Sequence, residues 1–222
     1  MCGRYYLDTL PETLSEEFSV QETPDLTASY NIAPTQLAPI VAVKEGARRM
    51  GHARWGLIPF WAKDEKIGSR MINARSETAA SKPAFRQAFH RRRCLVPASG
   101  FFEWKKMPDK RQPYAIAPLD RPLFAFAGLW ERWKNPADET VISFTILTRQ
   151  ASSRIANLHD RMPVMVPREL MDQWLDPEGP ADEILFTGQD TGDVKVYPVS
   201  TAVNSPRNNR PELLEPIELE DP

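Results

Sequence analysis

The sequence predicts an α+β fold: one domain with a curved, largely antiparallel sheet flanked by short helices. Short runs rich in β-branched and aromatic residues outnumber the helical segments and do not alternate regularly with them. The 21 prolines are spread along the 222 residues, which is typical of many short elements joined by turns. We therefore expect residues 1–222 to form one domain, with 206–222 as a surface or flexible tail.

In the first half of the chain, the pattern predicts a short opening strand, a helix, an irregular loop, two strands and a second helix. These are, in order, Cys2–Leu7, Pro11–Val20, Tyr30–Pro34, Pro39–Val43, Ala53–Ile58 and Pro83–His90. The helices are indicated by apolar residues four apart, as Leu14 and Phe18 are in the first. The loop is indicated by Pro34, because the residue before a proline avoids the helical region.

In the second half, strands dominate the prediction. They are Cys94–Val96, Gly100–Lys105, Tyr114–Ala117, Leu123–Trp130, Val141–Thr148 and Val194–Val199. The two strands that flank Met107–Lys110 are predicted to form a hairpin, since Pro and Asp there favour a turn. Two short helices are predicted at Arg168–Leu175 and Ala181–Phe186.

Composition excludes several classes of protein. The chain is 41% hydrophobic and 26% charged, and no apolar run approaches the roughly 20 residues that span a bilayer. The opening residues lack the layout of a secretory signal, so we expect a cytoplasmic protein without membrane contact. Nothing in the sequence indicates an obligate oligomer, and we expect a monomer.

Charge and cysteine content limit the partners and ligands that the chain can have. The net charge of −2 argues against non-specific coating of nucleic acid, although a local basic groove is compatible with it. Two cysteines and three histidines, scattered along the chain, do not have the spacing of a zinc site. We therefore expect no metal and no cofactor.

Cys2 is the first candidate for chemistry. Methionine aminopeptidases remove Met1 when the next side chain is small, and Cys2 would then carry an α-amine and a thiol on adjacent carbons. An amine attacks an aldehyde to give a Schiff base, and the thiol then closes a five-membered thiazolidine. A small buried residue at the start of a strand is the structural alternative.

Three other motifs contain side chains suited to catalysis or to structure. Asn73 either orients a nucleophile or caps a helix. Glu103 lies between bulky apolar residues, which should raise its pKa and make it a proton donor near neutral pH, unless it is an ordinary strand glutamate. His159 is a candidate proton shuttle or a structural loop residue.

Together these motifs resemble the SRAP family, the SOS response-associated peptidases. The resemblance extends over nearly the whole chain and rests on seven motifs in order: Cys2-Gly3-Arg4-Tyr5, Tyr30-Asn31-Ile32-Ala33-Pro34, Trp55-Gly56-Leu57-Ile58-Pro59, Asn73-Ala74-Arg75-Ser76-Glu77, Gly100-Phe101-Phe102-Glu103-Trp104, His159-Asp160-Arg161-Met162-Pro163 and Val199-Ser200-Thr201-Ala202-Val203-Asn204.

The resemblance implies a lyase-like function: Cys2 forms a thiazolidine with an abasic site in single-stranded DNA and protects the lesion during replication or the SOS response. It implies that Asn73 holds the terminal amine, that Glu103 is the general acid and base, and that His159 assists ring opening and reversal. It implies a mixed α/β domain with a barrel-like sheet. It further implies a set of DNA contacts, three to phosphates and two by stacking. These residues are Arg4, Arg75, Arg161, Pro34 and Trp104.

Two alternatives remain open from the sequence. In the first, the chain is a peptidase in which Cys2 is an N-terminal nucleophile assisted by Glu103 and His159, with self-removal of the first residue as one form of the activity. In the second, it is a non-covalent binder of modified bases that uses Trp61 and Trp104.

Overall fold

The computed structural model describes residues 2–119, 121–186 and 194–219. Its strands agree with most of the predicted segments. In chain order they are β1 (Tyr5–Leu7), β2 (Ser29–Ile32), β3 (Leu37–Lys44), β4 (Ala47–Trp55), β5 (Asn73–Arg75), β6 (Arg93–Ala98), β7 (Gly100–Lys106), β8 (Arg111–Pro118), β9 (Phe124–Lys134), β10 (Thr140–Gln150), β11 (Arg161–Pro163) and β12 (Val194–Pro198).

The helices are short and lie between the strands. They are α1 (Pro11–Phe18), α2 (Ser76–Ala79), α3 (Arg86–Arg91), α4 (Ser153–Ala156), α5 (Met171–Leu175) and α6 (Ala181–Phe186). Helical turns of the 3₁₀ type occur at Glu65–Arg70, Arg168–Leu170, Thr201–Asn204 and Pro211–Leu214. The predicted helices at 11–20, 83–90, 168–175 and 181–186 all fall on helical segments.

The predicted loop at Tyr30–Pro34 is partly wrong. Its first residues belong to β2, which pairs antiparallel with β1, Tyr5 opposite Ile32. Pro34 restricts only the residue before it, so a short strand ending at Ile32 is compatible with that proline. The loop begins after the strand, where Thr35 adopts a positive φ of 75°.

A closed ring of strands forms the centre of the molecule. β3 pairs with β4 and β6, β6 pairs with β9, and β9 pairs with β10. The ring closes because β10 also pairs with β4, through Ser143 and Phe144 opposite Arg54 and Trp55. Closure leaves these strands with few free edges, which is the usual advantage of a barrel.

A second sheet has the order β12-β8-β7-β1-β2 and is antiparallel throughout. In the barrel sheet, parallel pairing occurs where β10 meets β4 and β5. The predicted α+β domain with a barrel-like, largely antiparallel sheet and short helices is therefore confirmed.

Aromatic side chains fill the space between the two sheets. Tyr5 from β1 packs edge-on against Trp55 and Phe126 of the barrel, with ring centroids 5.1 and 6.4 Å away. Trp55 in turn stacks on Phe144 at 6.4 Å. Because Tyr5 and Trp55 are fully buried, this packing fixes the opening segment of the chain against the barrel.

The segment after β12 lies on the surface of the second sheet. The side chain of Leu213 is buried, and the backbone N–H of Ile217 donates to the carbonyl of Pro198 at 3.0 Å. The Asn31 amide in β2 donates to the carbonyls of Ser205 and Asn208. Residues 206–219 are thus held along β2 and the end of β12, while 220–222 lie outside the described residues.

None of the helices in the described ranges is long and apolar enough to cross a membrane.

Gly100 is the contact point between β1 and β7, and it offers a test of this packing. A Cβ at this position would meet the ring of Tyr6 and the carbonyl of Ile116. We expect Gly100→Ala to lower the free energy of unfolding by about 2 kcal/mol, because overpacking a buried strand forces the backbone to shift. Urea denaturation measures the change.

The matched control is Gly51→Ala, since a Cβ at Gly51 meets nothing within 4 Å. Its unfolding free energy should stay within about 0.5 kcal/mol of the parent. Equal effects of the two substitutions would contradict the close approach of β1 and β7.

Candidate active site

Cys2 lies in a buried position where the opening segment meets β7 and β5. The pairing of β1 with β7 continues before Tyr5, because the Phe102 N–H donates to the carbonyl of Arg4 at 2.9 Å. The Asn73 amide, from β5, donates through Nδ2 to the carbonyl of Cys2 at 2.7 Å. The Cys2 side chain has no exposed surface. Two separate parts of the fold therefore fix this residue.

Asn73 owes its place to the parallel pairing of β5 with β10, in which it lies opposite Ile146. Its amide faces the Cys2 backbone, and its Oδ1 atom is buried and accepts no hydrogen bond from the described residues. A buried amide oxygen is costly unless it is hydrogen-bonded. Asn73 thus offers an acceptor beside the backbone of Cys2.

Glu103 lies on β7 with only 2% of its surface exposed. Burial raises the pKa of its carboxyl group, and the charge of nearby His159 partly opposes that rise. Glu103 therefore holds its proton to a higher pH than an ordinary glutamate does, as a general acid must. The sequence-based prediction of a raised pKa agrees with this environment.

His159 follows α4 and lies just before β11. The backbone N–H of Arg161 donates to its Nδ1 atom at 3.0 Å, and Nδ1 is 2.7 Å from the Asp160 carboxylate. The ring is about one-third exposed, which gives it access both to the site and to water.

The four predicted catalytic residues therefore come together. Asn73 bonds Cys2 directly, the charge of Glu103 acts on the Cys2 thiol, and the charge of His159 acts on Glu103. Burial, followed by the charge of Glu103, raises the pKa of the Cys2 thiol above its ordinary value. The thiol is thus neutral near pH 7, in contrast to the thiolate of a low-pKa catalytic cysteine.

The three predicted phosphate-binding arginines differ in their surroundings. Arg75 is exposed. Arg4 donates to the Asn31 side chain at 2.8 Å and to the carbonyl of Val203 at 2.9 Å. Arg161 makes a two-pronged ion pair with Glu77, at 2.6 and 2.8 Å, and also donates to the carbonyl of Thr148.

A cavity of about 400 Å³ is lined by Arg75, Asp160 and Arg161, among others. Two of the predicted phosphate contacts thus share one open space, and Asp160 in its lining is the residue that contacts His159. The predicted stacking residues, Pro34 and Trp104, are both half-buried. Trp104 is oriented by a hydrogen bond of 2.7 Å from its Nε1 atom to the Asn204 side chain.

No group of three or more His, Cys, Asp and Glu side chains within the described ranges has the arrangement of a metal site. Trp61, named with Trp104 as a base-binding candidate, is 49% exposed beside Phe60. Trp61 lines a cavity of about 460 Å³ together with residues of α3, and Trp104 is not part of that lining.

Comparison with known proteins agrees with the motifs that meet at this site. Residues 1–206 match the family model described as SOS response associated peptidase (SRAP). The chain belongs to the SRAP family. The abasic site processing protein YoqW of Bacillus subtilis is 40% identical over 222 residues, which covers 97% of this chain and 99% of that protein. The abasic site processing protein HMCES of Gallus gallus is 32% identical, over 86% of this chain and 67% of its own length.

Solved structures show the same SRAP architecture. A crystal structure of a Bacteroides thetaiotaomicron protein superimposes with a TM-score of 0.87 at 26% identity, covering 98% of this chain and all of that one. A Bordetella bronchiseptica protein superimposes with a TM-score of 0.76 at 26% identity, over 90% of this chain and 100% of that one.

Sequence reasoning missed the role of Glu77 in this SRAP site. Glu77 was part of a quoted motif but had no assigned function, and the structure pairs it with Arg161. The two residues come from α2 and β11, which both contact β10. Only the strand pairing brings them together, so no local pattern could have indicated the contact.

The Glu77–Arg161 pair predicts a pH effect. The hydrogen bond from Arg161 lowers the pKa of Glu77 below its ordinary value of 4.5. Since the folded pKa is depressed, the stabilisation is complete above pH 4.5 and is lost as the pH falls through the lowered pKa. NMR titration of the Glu77 carboxyl should give this low midpoint.

In Arg161→Gln, the midpoint of Glu77 should return towards the ordinary value. Arg54→Gln, which breaks the exposed pair with Glu65, is the control and should leave Glu77 unchanged. A Glu77 titration that is the same with and without Arg161 would disprove the assignment.

Proposed function

We propose that this chain captures abasic sites in single-stranded DNA as a covalent thiazolidine on Cys2, in the context of DNA damage and the SOS response. The observation behind the proposal is the bonding of Cys2 to Asn73 beside a buried, proton-holding Glu103. The names of the relatives YoqW and HMCES, which describe abasic site processing, support the choice of substrate.

The first step needs a free α-amine on Cys2, which requires removal of Met1. An abasic sugar in its ring-opened form presents an aldehyde, and the neutral amine attacks its carbon. The amine has a reference pKa of about 8, so a useful neutral fraction exists near pH 7. The free Oδ1 lone pairs of Asn73 are suited to accept a hydrogen bond from this amine and so direct its lone pair at the aldehyde.

The second step closes the ring. The carbinolamine loses one water molecule to give the imine, and the Cys2 sulfur then adds to the imine carbon. The thiol proton ends on the nitrogen, so aldehyde, amine and thiol yield one thiazolidine and one water. Because the thiol is already on the same residue, closure has the entropic advantage of an intramolecular reaction.

Glu103 and His159 supply the proton transfers in this proposal. Protonated Glu103 donates to the ring oxygen of the sugar as it opens and takes a proton back from the anomeric hydroxyl as the aldehyde forms. It then donates to the departing hydroxyl of the carbinolamine, while the nitrogen gives one proton to His159 as the imine forms. The Glu103 carboxylate carries the proton of the neutral Cys2 thiol to that nitrogen as the sulfur adds. His159, whose charge acts on Glu103, returns its proton to Glu103 and assists reversal.

Single-stranded DNA fits the exposed surroundings of the site better than duplex. Arg75 and Arg161 line one cavity and can bind successive phosphates. Arg4 belongs to the opening segment that carries Cys2. Stacking on Pro34 and Trp104 is tolerant of sequence and requires unpaired bases. A phosphate that binds Arg161 competes with the Glu77 carboxylate, so the phosphate contact forms as the ion pair between Arg161 and Glu77 breaks.

The rival functions receive less support from the geometry. A cysteine peptidase of the low-pKa type needs a thiolate, and burial raises the pKa of the Cys2 thiol. A non-covalent reader that uses Trp61 and Trp104 together is disfavoured because Trp104 does not line the cavity beside Trp61. We propose that the chain acts as a monomer, in the cytoplasm and on the nucleoid when DNA-bound, without metal or cofactor.

Cys2→Ala tests the covalent chemistry. This variant keeps an α-amine but has no thiol, so it can form an imine and no thiazolidine. We expect no adduct on a denaturing gel with abasic oligonucleotide, and recovery of an adduct when borohydride reduces the imine. Cys94→Ala, the other fully buried cysteine, is the control and should crosslink normally.

A version of the protein that retains residues before Cys2 should also form no adduct, and intact-mass analysis should show no gain in mass. Full crosslinking by this blocked protein would rule out the α-amine as the nucleophile. Cleavage of a protein substrate by the parent, with no DNA adduct, would favour the peptidase.

Glu103→Gln tests the acid-base role. An amide neither donates nor accepts protons as a carboxyl group does, so adduct formation should slow at least about tenfold. The advantage of the parent over Glu103→Gln should shrink as the pH rises through the raised pKa of Glu103, because its proton is then lost. Single-turnover rates across pH measure both effects.

Glu131→Gln is the control, since Glu131 is a buried glutamate on β9 that pairs with Arg92 instead. It should leave the rate and its pH dependence unchanged. If Glu103→Gln and Glu131→Gln gave the same profile, Glu103 would have no part in proton transfer.

A further inference from the structure

A groove lies between the β3–β4 hairpin and the β9–β10 hairpin, away from the site described above. Its volume is about 300 Å³. β4 and β10 pair only at Arg54 with Ser143 and Trp55 with Phe144. Before those positions the two strands have no registered pairs, and the groove occupies the space between them.

The floor of the groove is apolar. It includes Met50, Trp130 and Ile142, each of which is partly buried against the core and partly exposed. Apolar side chains in such a position lose water contact when a partner covers them, which stabilises the complex.

The rim of the groove is basic. Lys44, Arg49, His52 and Arg132 line it, and no acidic side chain does. Within the described ranges, none of these four side chains makes an ion pair. Unpaired cations around an apolar floor complement a ligand that combines carboxylates with apolar side chains.

The wall formed by β4 presents its backbone. Four consecutive residues of this strand, from Arg49 to His52, line the groove. A Cβ added at Gly51 meets nothing within 4 Å, so the face of the strand is open at that residue. A strand edge whose alternate N–H and C=O groups have no neighbouring strand accepts an added strand.

We propose that this groove binds an extended acidic segment of a partner protein, which adds as a strand along β4. In an extended segment, every second side chain faces the same way. The registers of β4, β9 and β10 place Arg49, Trp130 and Arg132 on one face. The alternate side chains of the segment that meet this face would therefore include apolar groups that pack on Trp130 and carboxylates that pair with Arg49 and Arg132. From Ile142 to Ile146, which lies opposite Asn73, is about 13 Å along β10, so the partner binds beside Asn73 and not over it.

The test uses the full chain, isotopically labelled, and a synthetic peptide whose every second residue is aspartate or leucine in turn, with threonine at the positions between. NMR titration should shift the amides of Arg49–His52 and saturate. The matched control peptide carries N-methyl groups at alternate backbone positions, which removes strand hydrogen bonds but preserves charge and side chains. It should bind at least about tenfold more weakly.

Two variants locate the binding site. Gly51→Leu fits the free protein, because the position is open, but its side chain fills the groove. Arg132→Glu reverses one rim charge. Each substitution should weaken binding of the peptide by at least about tenfold. Arg86→Glu, an exposed arginine on α3, is the charge-reversal control and should not.

Failure of the acidic peptide to bind would overturn the proposal. So would binding that is equal for the N-methylated peptide, for a peptide with lysine in place of aspartate, or for Gly51→Leu. Oligothymidylate without abasic sites is a further arm: if it, and not the acidic peptide, shifts the β4 amides, the groove is a nucleic-acid surface and the proposal is wrong. Crosslinking to abasic DNA, measured in parallel, should be unaffected by either variant.

Discussion

The hydrogen bond from the Asn73 amide to the carbonyl of Cys2 is the contact on which the site depends. The pairing of β1 with β7 holds Cys2 on one side, and β5, paired with β10, holds it on the other. An opening segment is usually among the most mobile parts of a chain. Here it is enclosed, so the reactive groups of one residue are fixed relative to Glu103.

The fold class could be predicted because each strand is locally recognisable. β9, for example, is rich in aromatic residues and β10 in β-branched residues, and both types favour strands. The closure of the barrel could not be predicted, since it depends on parallel pairing between β4 and β10. Register between strands far apart in the chain is set by packing and not by any local pattern.

Part of the candidate site could likewise be predicted from the sequence, and part could not. The residue types of Cys2, Glu103 and His159 indicated chemistry, and the family resemblance indicated that they act together. Neither the residue types nor the resemblance indicated that Arg161 pairs with Glu77, because the local spacing of residues does not show an ion pair between elements that are distant in the sequence. The raised pKa of Glu103 could be predicted, since its sequence neighbours are bulky and apolar.

Burial explains why the proposed chemistry suits this site better than hydrolysis. Both the Cys2 thiol and the Glu103 carboxyl have raised pKa values, so the site favours neutral groups over charged ones. Condensation of an amine and a thiol with an aldehyde moves protons between neutral groups and releases water. Burial of the sulfur and of the carboxyl group keeps bulk water from these two groups, while the ring of His159, one-third exposed, stays in contact with solvent. A thiolate nucleophile would need the opposite environment, with positive charge and solvent nearby.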